Sequence, residues 1–378
     1  MFVDAYIQTA TLVFNQYTLE TPFAIYLKKY FKSAPQFGSR DRKYIAELVF
    51  GLFRLGNIQT ALSLKERMLI GSFLSGQLPI LFFEKTSPLL AQYYTLSFDD
   101  KFAFIQQHFA IKFNIPFQLT SDLTPGEYFH YIFQPSKVFI RIRSHYQELL
   151  NILTKNEIPF EIYADSCIAL PQKTKIQELF TQHDAYVVQD ISSQMAMPLL
   201  QPMPHERWWD CCAASGGKTL LLLDKKIPID LTATDIRPSI IANLRKRLAV
   251  YHFHQYRAFV ADAAKPLIPA QTFDQIIADV PCSGAGTWRR NPEQYYYFDE
   301  NKLKAYHTLQ QSILHNALNH LKPGGYLYYF TCSIFEQENE AIIHSIDKNY
   351  FSIIQQKLLN GFGMGGDCLF FCKIQRTP

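Results

Sequence analysis

Four short apolar runs, each followed by an aspartate, constrain the carboxyl-terminal half of this chain more than any other feature. Trp208-Trp209 precedes Asp210, Leu231-Thr232-Ala233-Thr234 precedes Asp235, Ala258-Phe259-Val260-Ala261 precedes Asp262, and Ile276-Ile277-Ala278 precedes Asp279. Runs this short, separated by stretches of helical apolar spacing, predict a strand, turn and helix repeated several times. Such repetition folds as an α/β, Rossmann-like, doubly wound parallel sheet. Ligands bind at the carboxyl ends of its strands, so the four acids are expected to share one rim. One such acid alone is more often a helix cap or a solvated loop residue, but four in register point to a site.

The rest of the chain reads differently. Its 378 residues, 48% of them hydrophobic, are too many for one core and imply two or three domains. Up to about residue 125 apolar residues recur at three and four positions, as in Tyr44, Leu48, Val49, Leu52 and Phe53, which predicts helices. Gly38-Ser39-Arg40-Asp41-Arg42 supplies a helix start, and Thr124-Pro125-Gly126 reads as a turn. Beyond it, Val138 to Arg143, the helical spacing of Glu148 to Leu153, Phe160 to Tyr163 and Ile168 to Leu170 give strand, helix, strand, strand: a small α/β module with one basic strand face. The expected domains are 1–125, 126–200 and 201–378.

No apolar run approaches the roughly 20 residues of a membrane helix, so a membrane partner is not expected. Met1-Phe2-Val3-Asp4 shows no basic region before an apolar stretch, and seven cysteines cannot all pair within one chain, so the reducing cytoplasm is the expected compartment. A formal net charge of +4 permits a polyanionic partner without demonstrating one.

After the first strand comes Asp210-Cys211-Cys212-Ala213-Ala214-Ser215-Gly216-Gly217-Lys218-Thr219. Its close resembles a phosphate-binding loop, but the required first glycine would fall at Cys212, and Asp210 would repel phosphate. That acid suits a ligand with an ammonium group and no phosphates, as in the methionine half of S-adenosylmethionine. Asp235 is placed to accept from ribose hydroxyls, Asp262 from an adenine amine, and Asp279 lies where cofactor and substrate would meet.

Two cysteines stand just past adjacent strands, in Asp279-Val280-Pro281-Cys282-Ser283-Gly284 and in Thr331-Cys332-Ser333. Cys167, Cys211, Cys368 and Cys372 read as small buried hydrophobes, whereas Cys282 and Cys332 sit where a thiolate can meet a substrate. No Cys-x-x-Cys pair exists, so neither structural zinc nor any other metal is expected. Carbon 5 of cytosine is too poor a nucleophile to attack a methyl sulfonium. Addition of a thiolate at carbon 6 makes it an enamine that can, and a carboxylate such as Asp279 on the base edge would help.

These motifs together resemble the Sun, or RsmB/Nop, family of RNA cytosine-5 methyltransferases. Residues 210–219 resemble its cofactor motif, Pro281-Cys282 its first cysteine motif and Thr331-Cys332-Ser333 its second. Val188 to Gln194 and Arg289-Arg290-Asn291-Pro292-Glu293 resemble the flanking stretches. The resemblance implies a class I methyltransferase domain that uses S-adenosylmethionine, with Cys332 as nucleophile, Cys282 promoting release of methylated RNA and Asp279 assisting. It implies cofactor binding by Cys212, Ala213, Ala214, Ser215, Gly216, Gly217, Lys218, Asp235, Asp262 and Asp279. Ser215 replaces the family's usual proline, which leaves the loop less preorganised.

More weakly, residues 40–54 resemble a NusB-like RNA-binding domain, and 138–143 an RNA-recognition-like module. Arg141, Arg143, Arg289 and Arg290 are then expected to touch RNA phosphates. The expected product is 5-methylcytidine in ribosomal RNA; transfer RNA, and an idle RNA-binding assembly factor on the same fold, are the alternatives. DNA methylation, which would use the Pro-Cys cysteine as nucleophile, is disfavoured by the Thr-Cys-Ser motif.

Overall fold

The computed structural model describes residues 3–378 apart from positions 57, 59, 60, 114, 116, 165, 268 and 269, so Met1 and Phe2 of the amino-terminal reading lie outside it. The chain forms two compact units, each assembled from three stretches. Met1–Phe117, Thr124–Pro135 and Thr287–Asp299 make the first, and Gln118–Leu123, Ser136–Gly286 and Glu300–Pro378 the second.

The first unit is helical. Its helix Ser39–Arg54 starts where the sequence places a start, with Gly38 N–H donating to Asp41 Oδ2 at 2.9 Å, and buries Ile45, Leu48, Val49, Leu52 and Phe53 along one stripe. Thr124-Pro125-Gly126 is not a turn between domains but the start of another helix, Pro125–Phe133. The Thr124 side chain accepts from Glu127 N–H, Glu127 reaches back to Thr124 N–H at 2.8 Å, and proline occupies the first helical turn. Residues 287–299 are stitched into this unit by Glu293, whose carboxylate accepts from Phe23 N–H at 3.0 Å. Arg289 is buried with its guanidinium 4.5 Å from the Tyr131 ring centroid, so it is a packing residue and does not face solvent. Arg290 beside it is exposed.

The second unit carries two sheets. The smaller, in the order β2-β3-β1-β4, is antiparallel and comprises β1 (Lys137–Ile142), β2 (Glu161–Ala164), β3 (Cys167–Pro171) and β4 (Tyr186–Val188). Leu149 and Leu153 of helix Tyr146–Lys155 pack on Ile140, Ile142, Ile168 and Leu170. The basic strand face does not meet solvent as expected. Arg141 is buried 2.6 Å from Asp224, and Arg143 lies 2.9 Å from the other oxygen of that carboxylate and 4.8 Å from the Tyr251 ring centroid. Both guanidiniums neutralise a buried acid some eighty positions away, which no local pattern reveals, and neither is offered to phosphates.

The larger sheet has the order β10-β11-β9-β8-β5-β6-β7. Its strands β5 (Arg207–Asp210), β6 (Asp230–Asp235), β7 (Arg257–Val260), β8 (Phe273–Asp279) and β9 (Leu321–Thr331) are parallel. The hairpin β10 (Phe351–Asn360) and β11 (Cys368–Arg376) joins antiparallel, so the sheet is mixed, not all parallel. Both faces are covered, and successive residues divide between them. Trp208 stacks on Tyr328 on one side, while Trp209 stacks on Phe273 on the other. The chain steps outward from β5 to β6 and β7, then returns to lay β8 on the far side of β5, which puts a crevice at the ends of β5 and β8. Among the described residues no helix is long and apolar enough to cross a membrane.

Candidate active site

The turn after β5 is bent hard. Ala214 and Gly216 both take left-handed backbone angles, with φ of 44° and 85°, and Ala214 N–H donates to Asp235 Oδ2 at 3.2 Å. A side chain on Gly216 would put a Cβ 2.5 Å from Leu244, so glycine is required there by conformation and by space. Ser215 is exposed, and Arg247 holds it by its hydroxyl at 3.1 Å and its carbonyl at 3.0 Å. That clamp does from outside part of what a proline ring would do from within.

The cleft beside this turn has a volume of about 360 Å³ and is lined by Cys212, Ala214, Asp235, Asp262, Asp279, Cys282 and Cys332, with Ile236, Leu309 and Ile313 as apolar wall. Seven of the expected site residues thus meet at one rim. Ala213, Ser215, Gly216, Gly217 and Lys218 shape the loop without lining the cleft. The Lys218 ammonium is buried, 3.1 Å from Asp279 and 4.9 Å from the Phe330 ring centroid. Asp210 departs from expectation: it is fully buried, accepts from the Thr219 hydroxyl at 2.6 Å, and does not line the cleft. It supports the turn from beneath, and among the described residues its Oδ1 has no hydrogen-bond partner.

Asp235 is engaged by its own neighbour, with Arg237 donating to Oδ1 at 2.9 Å and to Oδ2 at 3.0 Å. Burial works to raise the pKa of this carboxyl, but the Arg237 side chain and the Arg237 and Ala214 N–H groups outweigh it and hold it below the usual range. A ligand diol would have to displace the Arg237 fork. Asp262 accepts from Ala264 N–H at 3.0 Å.

The two cysteines come into contact. Adjacent strands β8 and β9 end level, Asp279 opposite Phe330, and Cys282 Sγ lies 3.4 Å from Cys332 Sγ with both thiols free. The bond to Cys332, burial, and the negative charges that Cys332 and Glu338 can carry push the Cys282 thiol well above its ordinary pKa. Either sulfur can donate to the other across this contact. Gly286 permits the close return of the chain: its N–H donates to Cys332 O at 2.8 Å, and a Cβ there would lie 2.6 Å from Cys368 Sγ. Burial raises the thiols of Cys167 to about 11 and Cys372 to about 12, consistent with packing roles.

Two supports of this pair escaped sequence reasoning. Glu338, in the charged run Glu336-Gln337-Glu338-Asn339-Glu340, looks like surface and is fully buried. The strap Gln118–Leu123 pairs Leu119 with Phe335, three residues past Cys332, and Ser121 N–H donates to Glu340 at 3.0 Å. Only the Thr-Cys-Ser motif next to the charged run hinted at Glu338, and nothing local hinted at the strap.

Residues 197–359 match the family described as 16S rRNA methyltransferase RsmB/F. That stretch of the chain, which holds the cofactor turn and both cysteine motifs, is that of the RsmB/F methyltransferase family. The resemblance carried by residues 210–219, Pro281-Cys282 and Thr331-Cys332-Ser333 is borne out in this assignment. Among RsmB/F relatives, ribosomal RNA small subunit methyltransferase B of Xylella fastidiosa strain 9a5c is 35% identical over 156 residues, 41% of this chain and 37% of that protein. The same-named protein of Pasteurella multocida is 32% identical over 247 residues, 60% of this chain and 55% of that protein. This chain thus spans between about a third and a half of the length of the curated relatives it matches. The solved structure of PH0851 aligns over 98% of both chains with a TM-score of 0.65 at 18% identity, which shows a shared fold.

Proposed function

We propose that this protein is an S-adenosylmethionine-dependent RNA methyltransferase that forms 5-methylcytidine in ribosomal RNA. The observation that carries the reading is the pair of free thiols 3.4 Å apart on the rim of a cleft lined by Asp235, Asp262 and Asp279. The cleft falls within the range of small-molecule sites, roughly 300 to 1,000 Å³. Two small residues, Cys212 and Ala214, let a ligand approach the backbone, and Asp235 offers ribose hydroxyls a carboxylate once Arg237 swings away. When bound, the cofactor supplies an electrophilic methyl group.

The chain's own residues supply the rest. The Cys332 thiolate adds to carbon 6 of the cytosine, and the carbon 5 pair so released takes the methyl group. Asp279, oriented by Lys218, accepts from the exocyclic amine. When a base removes the carbon 5 proton, the C–S bond breaks and its electron pair returns to Cys332. Cys282, held as a thiol, donates to that departing sulfur and so assists release. Bisulfite sequencing of total RNA from cells with and without the gene tests substrate and activity together, because loss of one methylated cytosine identifies both. No change at any cytosine would overturn the reading.

Cofactor recognition has its own check. Asp235→Ala should raise the Kd for S-adenosylmethionine about 10- to 100-fold, since a charged hydrogen bond contributes about 1.5 to 3 kcal/mol. Isothermal titration should show this loss, and no binding of ATP to the parent protein. Unchanged affinity in the variant would remove Asp235 from the site.

RNA docking shifts from the corrected strand arginines to the helical unit, whose residues 1–125 we read as NusB-like, with 126–200 as an RNA-recognition-like module and 201–378 as the catalytic domain. Lys28, Lys29, Lys32, Arg40, Arg42 and Lys43 are all exposed. Asp41, the one acid in that stretch, already accepts from the Tyr6 hydroxyl at 2.6 Å and from Gly38 N–H at 2.9 Å. Replacing Lys28, Lys29 and Lys32 by alanine should weaken RNA binding and lower the log–log salt slope by roughly 2 to 3, at about 0.7 to 0.9 for each phosphate no longer neutralised. A slope equal to that of the parent would show these lysines to be merely solvated.

A further inference from the structure

We propose that Glu338 is a positioning residue that sets the spacing of the Cys282 and Cys332 sulfurs by holding the next residue of each cysteine loop on one carboxylate. Its Oε1 accepts from Ser283 N–H at 2.7 Å and from Gln310 Nε2 at 3.0 Å. Its Oε2 accepts from the hydroxyls of both Ser283 and Ser333. Those hydroxyls lie 3.2 Å apart, and each belongs to the residue that follows a thiol-bearing cysteine. The clamp is itself anchored: Gln310 also donates to Pro281 O at 2.9 Å, and the Tyr329 hydroxyl donates to Glu338 O at 2.9 Å.

Burying a carboxylate is costly unless its oxygens are filled, and here four donors fill them with no ion pair among the described residues. An apolar side chain would pack such a space at less cost, so what this group adds is geometry. It gives two loops that leave different strands a shared attachment point beside their sulfurs. The negative charge of Glu338 also works to keep Cys282 protonated, in keeping with its role as donor to Cys332. The consequence for catalysis rests on the reading under Proposed function, whereas the spacing of the sulfurs does not.

The test uses the whole chain with Cys212→Ala, because Cys212, Cys282 and Cys332 are the cysteines that keep partial exposure to solvent. Phenylarsine oxide bridges two thiols only when their sulfurs stand near contact, forming two As–S bonds and releasing one water from its oxygen and the two thiol protons. The parent should take up one equivalent, and Glu338→Ala should bind at least tenfold more weakly while the count of titratable thiols is unchanged. Glu338→Gln should retain most of the capture, because its carbonyl still accepts from Ser283 N–H and its amide can donate to the serine hydroxyl oxygens. If Glu338→Ala does not fold, the pair Ser283→Ala and Ser333→Ala, which removes both hydroxyl donors and so frees the Cys332 loop from the carboxylate without emptying the buried site, must show the same loss. Parent-like capture in folded Glu338→Ala, or in the serine pair, overturns the proposal. Failure there, with methyl transfer intact in the chain that keeps Cys212, would leave the methyltransferase reading standing; normal clamp behaviour with no methyl transfer to any RNA by the chain that keeps Cys212 would do the reverse.

Discussion

Cys332→Ala is expected to abolish methyl transfer, and Cys282→Ala to leave a protein–RNA complex that survives denaturation. The two thiols are in contact, so position alone does not assign their tasks; the proposal assigns them by the resemblance of Thr331-Cys332-Ser333 and Pro281-Cys282 to the family's two cysteine motifs. Cys282 is held as a thiol by its bond to Cys332, by burial and by nearby negative charge, and a thiol is a poor nucleophile. In the proposed mechanism attack on carbon 6 falls to Cys332. Without it no enamine forms and carbon 5 cannot take the methyl group, so the loss should be complete, not graded. Without Cys282 the adduct forms and methylation proceeds, but the departing sulfur has lost its S–H donor and the covalent complex accumulates. The double variant should form no complex, because the trapped bond belongs to Cys332. Labelled RNA on denaturing gels reads all three outcomes. A complex that accumulates in Cys332→Ala and not in Cys282→Ala would exchange the roles and refute this mechanism.

Asp210→Asn is expected to stabilise the protein at pH 8 and to do much less at pH 5. Burial pushes the pKa of Asp210 up to about 7, with Asp279 and Asp235 adding to the rise, while the Thr219 hydroxyl and Lys218 oppose it. In the unfolded chain the group titrates near 3.8. Between about pH 4 and pH 7 the folded chain thus binds a proton that the unfolded chain has lost, and stability falls as pH rises through that window. Above it the full cost is present, about three pKa units at 1.36 kcal/mol each, or on the order of 4 kcal/mol. Asparagine cannot ionise and still accepts from Thr219. Urea midpoints at the two pH values measure the gap between parent and variant. A gap that does not widen with pH would mean that Asp210 carries no such burden.

The catalytic half was legible where chemistry is local. Strand-end acids, small residues in a turn and paired cysteine motifs are each carried by a few consecutive residues, and the sheet brings their strand ends to one rim. What could not be read depends on partners distant in sequence. Arg141 and Arg143 look like a basic face until Asp224 is folded against them. Asp210 and Asp235 end neighbouring strands with the same side chain, yet one lies beneath the turn and the other opens to the cleft. Glu338 sits in a charged run that a solvated face would also show. The Thr124 helix start is different: the Thr-x-x-Glu spacing is present in the sequence, and the turn signal of Pro125-Gly126 masks it.

The exchange of segments between the units means that this protein cannot be divided by a single cut. Gln118–Leu123 belongs to the unit that bears the thiols, and Thr287–Asp299, which opens five residues after Cys282, belongs to the helical one. Removing everything before residue 126 would take away the strand partner of Phe335 and the donors to Glu340, and would leave Glu293 without the Phe23 N–H it accepts from. A catalytic fragment made that way starts with damage on the exit of both cysteine loops. Inactivity in such a fragment would say nothing about whether RNA binds the helices.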